Sequence, residues 1–262
     1  MRVETLGEGT PELAIVGGIH GDEPCGGRAV ERLLSDGPAL DRPVKLIVAN
    51  EEALAREERY VDADLNRAFD GSVPATAHER VLADRLRDEL ADTVTLAIHS
   101  TQSYQNPFAI TSGIASAVRS IVPRLSVDAL VDAGNAVEGR IFETAATIIE
   151  VEAGLQGSQA AAENAYRLAR EFLTATGSLP GDTAPTRVPL YELGPSIEKP
   201  PAQTYDVLVE NFTRVDPGEA FARADEHPLR AEEPFWPVLL SAYGYRDIFG
   251  YESQKTGALT PG

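Results

Sequence analysis

The stretch Gly17-Gly18-Ile19-His20-Gly21-Asp22-Glu23-Pro24 separates an apolar run, Leu13-Ala14-Ile15-Val16, from a segment of helical spacing, Arg28 to Leu34. The run reads as a buried strand and the glycines as its tight exit. Pro24 suits the first position of a helix, where its missing N–H has no partner to lose. His20 and Glu23 thus lie three residues apart in a strand-to-helix turn, able to point at one spot. An imidazole and a carboxylate so placed can hold a divalent metal such as zinc. They can equally be a capping or surface pair, and the rest of the chain has to decide.

Strands and helices alternate after this turn. Val44–Ala49 reads as a second strand, Glu51–Arg56 as a helical turn, and Arg59–Phe69 as a polar loop with short structure. His78 to Leu90 has helical spacing, with Leu82, Leu86 and Leu90 in a stripe that Val81 widens. Val94–Ile98 is a strand ending in His99-Ser100-Thr101, and Phe108–Ile110 is a short one followed by a helix around 114–122. Residues 126–139 are ambiguous. Arg140–Phe142 and Thr147–Val151 read as strands, and Gln159–Thr174 as a long helix. This pattern predicts an α/β fold with a mixed, largely parallel sheet flanked by helices. Beyond Thr183 prolines cluster and short β-like runs follow (205–209, 235–240, 247–251), predicting a small β-rich C-terminal domain over 185–262.

Three residues lie at predicted strand ends: His20, His99 and Glu152. In open α/β sheets those ends line a common crevice where ligands bind. Glu23 sits in the first of these turns; two histidines and a glutamate make a catalytic zinc set with an open position for water, and Glu152 is then a candidate base. Each has a plainer reading: His99 as a hydrogen-bonded strand-end histidine, Glu152 or its strand-face neighbour Glu150 as a solvated edge residue. Arg59, Asn66 and Arg67 form a second cluster. They can bind a carboxylate and stabilise an oxyanion, or form a structural network with Asp62 and Asp64. His78 and His227 read as surface residues, and Glu51, Glu52, Glu57 and Glu58 as a solvated face.

Composition narrows the classes. The formal net charge is −18, from 41 acidic and 23 basic residues, which opposes nucleic-acid binding through the bulk field. Three of the basic residues are lysine (Lys45, Lys199, Lys255) and the other 20 arginine. Such a surface suits a salt-rich cytoplasm, where the Debye length falls to about 3 Å at 1 M; a GC-rich genome would also favour arginine. The single Cys25 excludes an intramolecular disulfide and a cysteine-based zinc site and reads as a small apolar helix residue. No run of about eighteen apolar residues is present and no secretory signal is evident, so no membrane association and a cytoplasmic location are expected.

Taken together, Gly18-Ile19-His20-Gly21-Asp22-Glu23, the segment Arg59 to Phe69 with its Asp64-Leu65-Asn66-Arg67, His99-Ser100-Thr101 and Glu152-Ala153-Gly154-Leu155-Gln156-Gly157 resemble the succinylglutamate desuccinylase/aspartoacylase family, a branch of the zinc carboxypeptidase-like fold. Order and spacing fit over roughly residues 12–160. The resemblance implies a zinc-hydrolase catalytic domain over 1–184, with one Zn2+ per chain held by His20, Glu23 and His99. It further implies Glu152 as general base, Arg59 as the group that polarises the amide carbonyl, and Asn66 and Arg67 as the grip on the substrate. The implied reaction is cleavage of a small anionic N-acyl amino acid by a zinc-activated water. Family members commonly carry Asp two residues before the second zinc histidine, where this chain has Ala97; a carboxylate there would be outer-shell support. Tyr243 and Tyr245 are candidates for a pocket tyrosine, and Arg140 for a further carboxylate contact. The competing readings are a metallocarboxypeptidase acting on a peptide C-terminus and a metal-binding protein without turnover. The sequence leaves room for a homo-oligomer.

Overall fold

A computed structural model describes residues 1–134, 139–145 and 147–260. Nine strands form one sheet. In chain order they are β1 (Arg2–Leu6), β2 (Leu13–Gly17), β3 (Val44–Val48), β4 (Val94–Thr101), β5 (Phe108–Thr111), β6 (Leu130–Asp132), β7 (Thr147–Leu155), β8 (Val188–Glu198) and β12 (Ile248–Leu259). Their spatial order is β1-β3-β2-β4-β7-β5-β6-β8-β12. Five of the eight pairings are parallel, and β1–β3, β5–β7 and β8–β12 are antiparallel. The sheet is therefore mixed and largely parallel. A second, three-stranded sheet runs β11 (His227–Arg230), β10 (Ala220–Ala224), β9 (Tyr205–Val207).

Alternation along the central strands builds a core on each face. Leu13, Ile15, Leu96 and Ile98 point to the side covered by α1 (Cys25–Asp36) and α5 (Gln159–Ala175). Ala14, Val16, Ala97 and Ile148 point to the other side, where α3 (His78–Leu90) packs through Leu82, Leu86 and Leu90 alongside Leu65 and Phe69. Val81 is half exposed, so the buried face of α3 follows Leu82, Ala83 and Leu86 and does not extend to it. The glycines at the end of β2 are steric requirements. A Cβ on Gly17 would sit 2.1 Å from the carbonyl carbon of Gly26, and one on Gly21 would sit 2.1 Å from that of Ala53. The helix begins at Cys25, with Pro24 as the residue before it accepting the N–H of Arg28 at 2.9 Å.

Three expectations change. Arg140-Ile141-Phe142 is not a strand: residues 141–143 form a 3-10 turn, because the Ile141 N–H is taken by the Asn66 side chain and its carbonyl by Thr144. Residues 235–240 form only isolated bridges, Val215 with Phe235 and Val238 with Tyr251. β4 and β7 run further than apolarity alone indicates, so His99 and Glu152 lie inside the strand ends, paired with each other in register. Part of the ambiguous stretch, 135–138, lies outside the described residues; the rest contributes β6.

The segment from residue 185 onward has two parts. β8 and β12 extend the main sheet beside β6, and β9 to β11 stand apart from it. The buried Asn211 ties the two regions together. Its Nδ2 donates to the carbonyls of Ser103 (2.7 Å) and Leu240 (3.1 Å), and its Oδ1 accepts the Leu240 N–H at 2.8 Å. This brings residues 239–245 over the C-terminal ends of the central strands.

Candidate metal centre and active site

The site grows out of the face that carries Ala97 and Ile148. Two residues further along β4 that face presents His99; two and four further along β7 it presents Glu150 and Glu152. The turn after β2 adds His20 and Glu23. The loop before α3 adds Asp64, Asn66 and Arg67, and it is held by the fully buried Glu79, whose carboxylate accepts the N–H groups of Val61, Asp62 and Ala63 at 2.6–3.0 Å. Without such a partner three consecutive loop N–H groups would lack acceptors.

His20, Glu23 and His99 meet closely. One donor atom from each lies within 4.8 Å of the others, and all three residues are buried. His20 Nδ1 is 2.9 Å from Glu23 Oε1 and His99 Nδ1 is 3.1 Å from Glu23 Oε2. The opposite ring nitrogens face other carboxylates: His20 Nε2 is 3.0 Å from Asp64 Oδ1, and His99 Nε2 is 3.5 Å from Glu150 Oε1. Arg59 is anchored here too, donating to Glu23 Oε1 at 3.1 Å and to Asp64 Oδ2 at 3.1–3.2 Å. Asn66 donates Nδ2 to Glu150 at 2.8 Å and accepts the Ile141 N–H at 2.9 Å.

The electrostatics follow from burial opposed by pairing. Burial alone would lower the histidines, but Glu23 and Asp64 hold His20 above its ordinary value, and Glu150 and Glu23 hold His99 well above. Burial would raise Glu23, yet the two imidazoles keep it well below the usual carboxylate range. Glu150 is lowered against its burial by His99, Arg140 and Asn66. Glu152 is the exception. Burial, with Glu23 and Glu150 beside it, pushes its carboxyl up to about 7, and its Oε2 has no hydrogen-bond partner among the described residues. A carboxylate raised to near neutrality and facing a cleft is suited to exchange a proton.

The cavity above these residues measures about 280 Å³. Arg67 and Arg140 both line it, and neither has a salt-bridge partner among the described residues. Tyr245 lines the cavity together with Arg140 and Glu152, and burial raises its hydroxyl; Tyr243 also lines it but is largely exposed. Gln102, Ser241 and Leu239 also line the cavity. The sequence reading left open whether Asp64 belonged to the site, and it treated Glu150 only as a rival of Glu152. The signal for both was present: Asp64 opens Asp-Leu-Asn-Arg, and Glu150 shares a strand face with Glu152. His78 lies beside the site's supporting loop, 3.2 Å from Asn50 Oδ1, and His227 is exposed. Cys25 is buried, its thiol pushed up to about 12 by burial and turned to the His99 carbonyl.

The donor set fits a zinc ion. Two imidazole Nδ1 atoms and both oxygens of one carboxylate converge in a buried cluster; behind them His20 Nε2 is hydrogen-bonded to Asp64, which fixes its metal-binding tautomer, and His99 Nε2 faces Glu150 at 3.5 Å.

The family model described as "Succinylglutamate desuccinylase/Aspartoacylase catalytic domain" matches residues 9–170, and the chain belongs to that family. Among curated relatives, the probable aspartoacylase of Acaryochloris marina is 36% identical over 61 residues, 22% of this chain and 21% of that protein. The aspartoacylase of Rattus norvegicus is 40% identical over 62 residues, again 22% of this chain and 20% of that protein. The matched segments thus span about a fifth of those relatives' length. Among solved structures, murine aminoacylase 3 superposes with a TM-score of 0.73 at 22% identity, covering 97% of this chain and 100% of that one. The ectoine utilization protein EutE from Ruegeria pomeroyi does so with a TM-score of 0.76 at 16% identity, covering 98% and 88%. Identity at that level establishes the shared fold.

Proposed function

We propose that the protein is a zinc-dependent amidohydrolase that cleaves a small anionic N-acyl amino acid to a carboxylate and a free amino acid. The observation that carries this reading is the convergence of His20, Glu23 and His99 beside a raised, unpartnered Glu152 in one cavity. Zinc held by His20, Glu23 and His99 would act as a Lewis acid and lower the pKa of water to about 7. Glu152 takes the proton from the attacking water and delivers it to the leaving nitrogen, a contribution of roughly 10²–10⁴-fold. Arg59, fixed by Asp64 and Glu23, donates to the carbonyl oxygen as it becomes an oxyanion. Arg67 and Arg140 bind a substrate carboxylate, and Asn66 retains one amide N–H for the substrate after its bond to Glu150. We assign the pocket tyrosine to Tyr245 because it lines the cavity while Tyr243 is largely exposed to solvent.

In the same reading residues 1–184 carry the chemistry and residues 185–262 shape the mouth of the cavity, which the placement of Ser241 and Tyr243 in its lining supports. No helix among the described residues is long and apolar enough to cross a membrane. The acidic, lysine-poor composition is taken as adaptation to a salt-rich cytoplasm. The test is a panel of N-acyl amino acids, acetylated and succinylated on aspartate, glutamate and neutral residues, assayed in high salt with added zinc beside peptides with free C-termini. Release of acetate or succinate from the anionic members is expected. Stoichiometric zinc without turnover of any member would overturn the reading, and preferential release of a C-terminal amino acid from peptides would assign the site to a carboxypeptidase.

A further inference from the structure

The two histidines of the centre are supported in parallel ways by unrelated elements. Each turns Nδ1 to Glu23 and Nε2 toward a second carboxylate: His20 makes a 3.0 Å hydrogen bond to Asp64 in the loop before α3, and His99 faces Glu150 on β7 at 3.5 Å, an ion-pair distance. Glu150 is buried; it accepts the Asn66 amide at 2.8 Å and stands 3.5 Å from His99 Nε2, a buried nitrogen with no hydrogen-bond partner among the described residues. It stands directly across the β4–β7 ladder from Ala97, the residue two before His99 on the same strand face. Ala97 is fully buried and presents only a methyl group. The space beside the His99 ring that a longer side chain at 97 would fill is thus reached from the neighbouring strand.

On this geometry, and resting on the zinc reading above, we propose that Glu150 is a positioning residue for the metal centre. It orients the His99 imidazole and fixes its metal-binding tautomer from across the sheet, and it couples that ligand to the substrate-facing loop through Asn66. A carboxylate behind a metal-bound histidine holds the ring orientation, and its loss typically weakens metal affinity 10–100-fold. The side chain acts through His99 and is not itself a ligand, because Glu23 occupies the Nδ1 side of that ring.

The test is zinc affinity, measured by competition with a chromophoric chelator on the full chain, with no assay of activity. Wild type that binds no zinc would sink the metal reading itself; the comparison below therefore starts from a wild type loaded to one equivalent. Glu150→Ala is expected to bind zinc at least tenfold more weakly, and its cobalt-substituted form to show a shifted visible spectrum. Ala97→Asp in the Glu150→Ala background is expected to recover most of the affinity and the wild-type spectrum, since it returns a carboxylate to the same face of the sheet beside His99. A purely structural defect would not be repaired in this way. The proposal is overturned if Glu150→Ala keeps wild-type zinc affinity, or if its loss is not recovered at all by Ala97→Asp while the metal-free double variant melts at the wild-type temperature.

Discussion

Glu79 accepts the backbone N–H of Val61 at 2.6 Å, and with its other oxygen those of Asp62 and Ala63 at 3.0 Å, while Asn50 donates to it at 2.9 Å. A residue with no exposure to solvent thereby holds the loop that delivers Asp64, Asn66 and Arg67. The four donors keep its carboxyl below the ordinary value in spite of burial. Glu79→Ala should cost about 2–4 kcal/mol, because buried N–H groups lose a charged acceptor. Urea denaturation followed by circular dichroism measures the loss. A variant as stable as wild type would show that the loop holds its shape without this side chain.

Glu152→Gln should retain stoichiometric zinc and lose most of kcat, by about 10²–10⁴-fold, since the amide cannot accept the proton. Zinc content by atomic absorption and turnover on the responding substrate check the two halves. Near-wild-type kcat would remove Glu152 from the role of base.

The same carboxyl has a linked effect on stability. In the metal-free protein it lies at about 7, against an ordinary 4.5. The neutral form's contribution is fully present below 4.5 and is lost as pH rises to 7. Metal-free wild type should therefore lose stability relative to Glu152→Gln across that window, by on the order of 3 kcal/mol. Thermal melts of both proteins between pH 4.5 and 8 give the difference, and parallel curves would reject it.

His99→Ala removes one of the three proposed metal donors and leaves Glu23 Oε2 and Glu150 without their imidazole. The variant should lose stoichiometric zinc. Its Tm should no longer rise on zinc addition, whereas wild type should gain stability as RT ln(1 + [Zn]/Kd). Differential scanning calorimetry with and without a chelator distinguishes the two behaviours.

With 41 acidic residues against 23 basic, lowering ionic strength lengthens the range of carboxylate repulsion, from about 3 Å at 1 M to 10 Å at 0.1 M. Tm should fall on dilution of potassium chloride from 2 M to 0.1 M. A salt-independent Tm would point to arginine bias without salt adaptation.

The sequence alone determined the sheet-and-helix alternation, since apolar runs bounded by glycine and proline admit few other readings. It also put His20, His99 and Glu152 toward the C-terminal ends of three strands, although two of those strands run on past His99 and Glu152, and it put His20 beside Glu23. What it could not supply was contact across the sheet. Ala97 looked like a missing support because the eye follows one strand, yet Glu150 stands beside it only through the β4–β7 register. Arg140 read as strand because Ile141 and Phe142 are apolar, and it became a pocket residue when Asn66, 75 positions earlier, captured the Ile141 N–H. Tyr245 and Tyr243 were indistinguishable in sequence and differ only in what the fold packs against them. His20, Glu23 and His99 supply donor atoms from local chemistry that a sequence displays. The carboxylates that their outer nitrogens face lie 44 and 51 residues away in the chain, and only the tertiary structure brings those within reach.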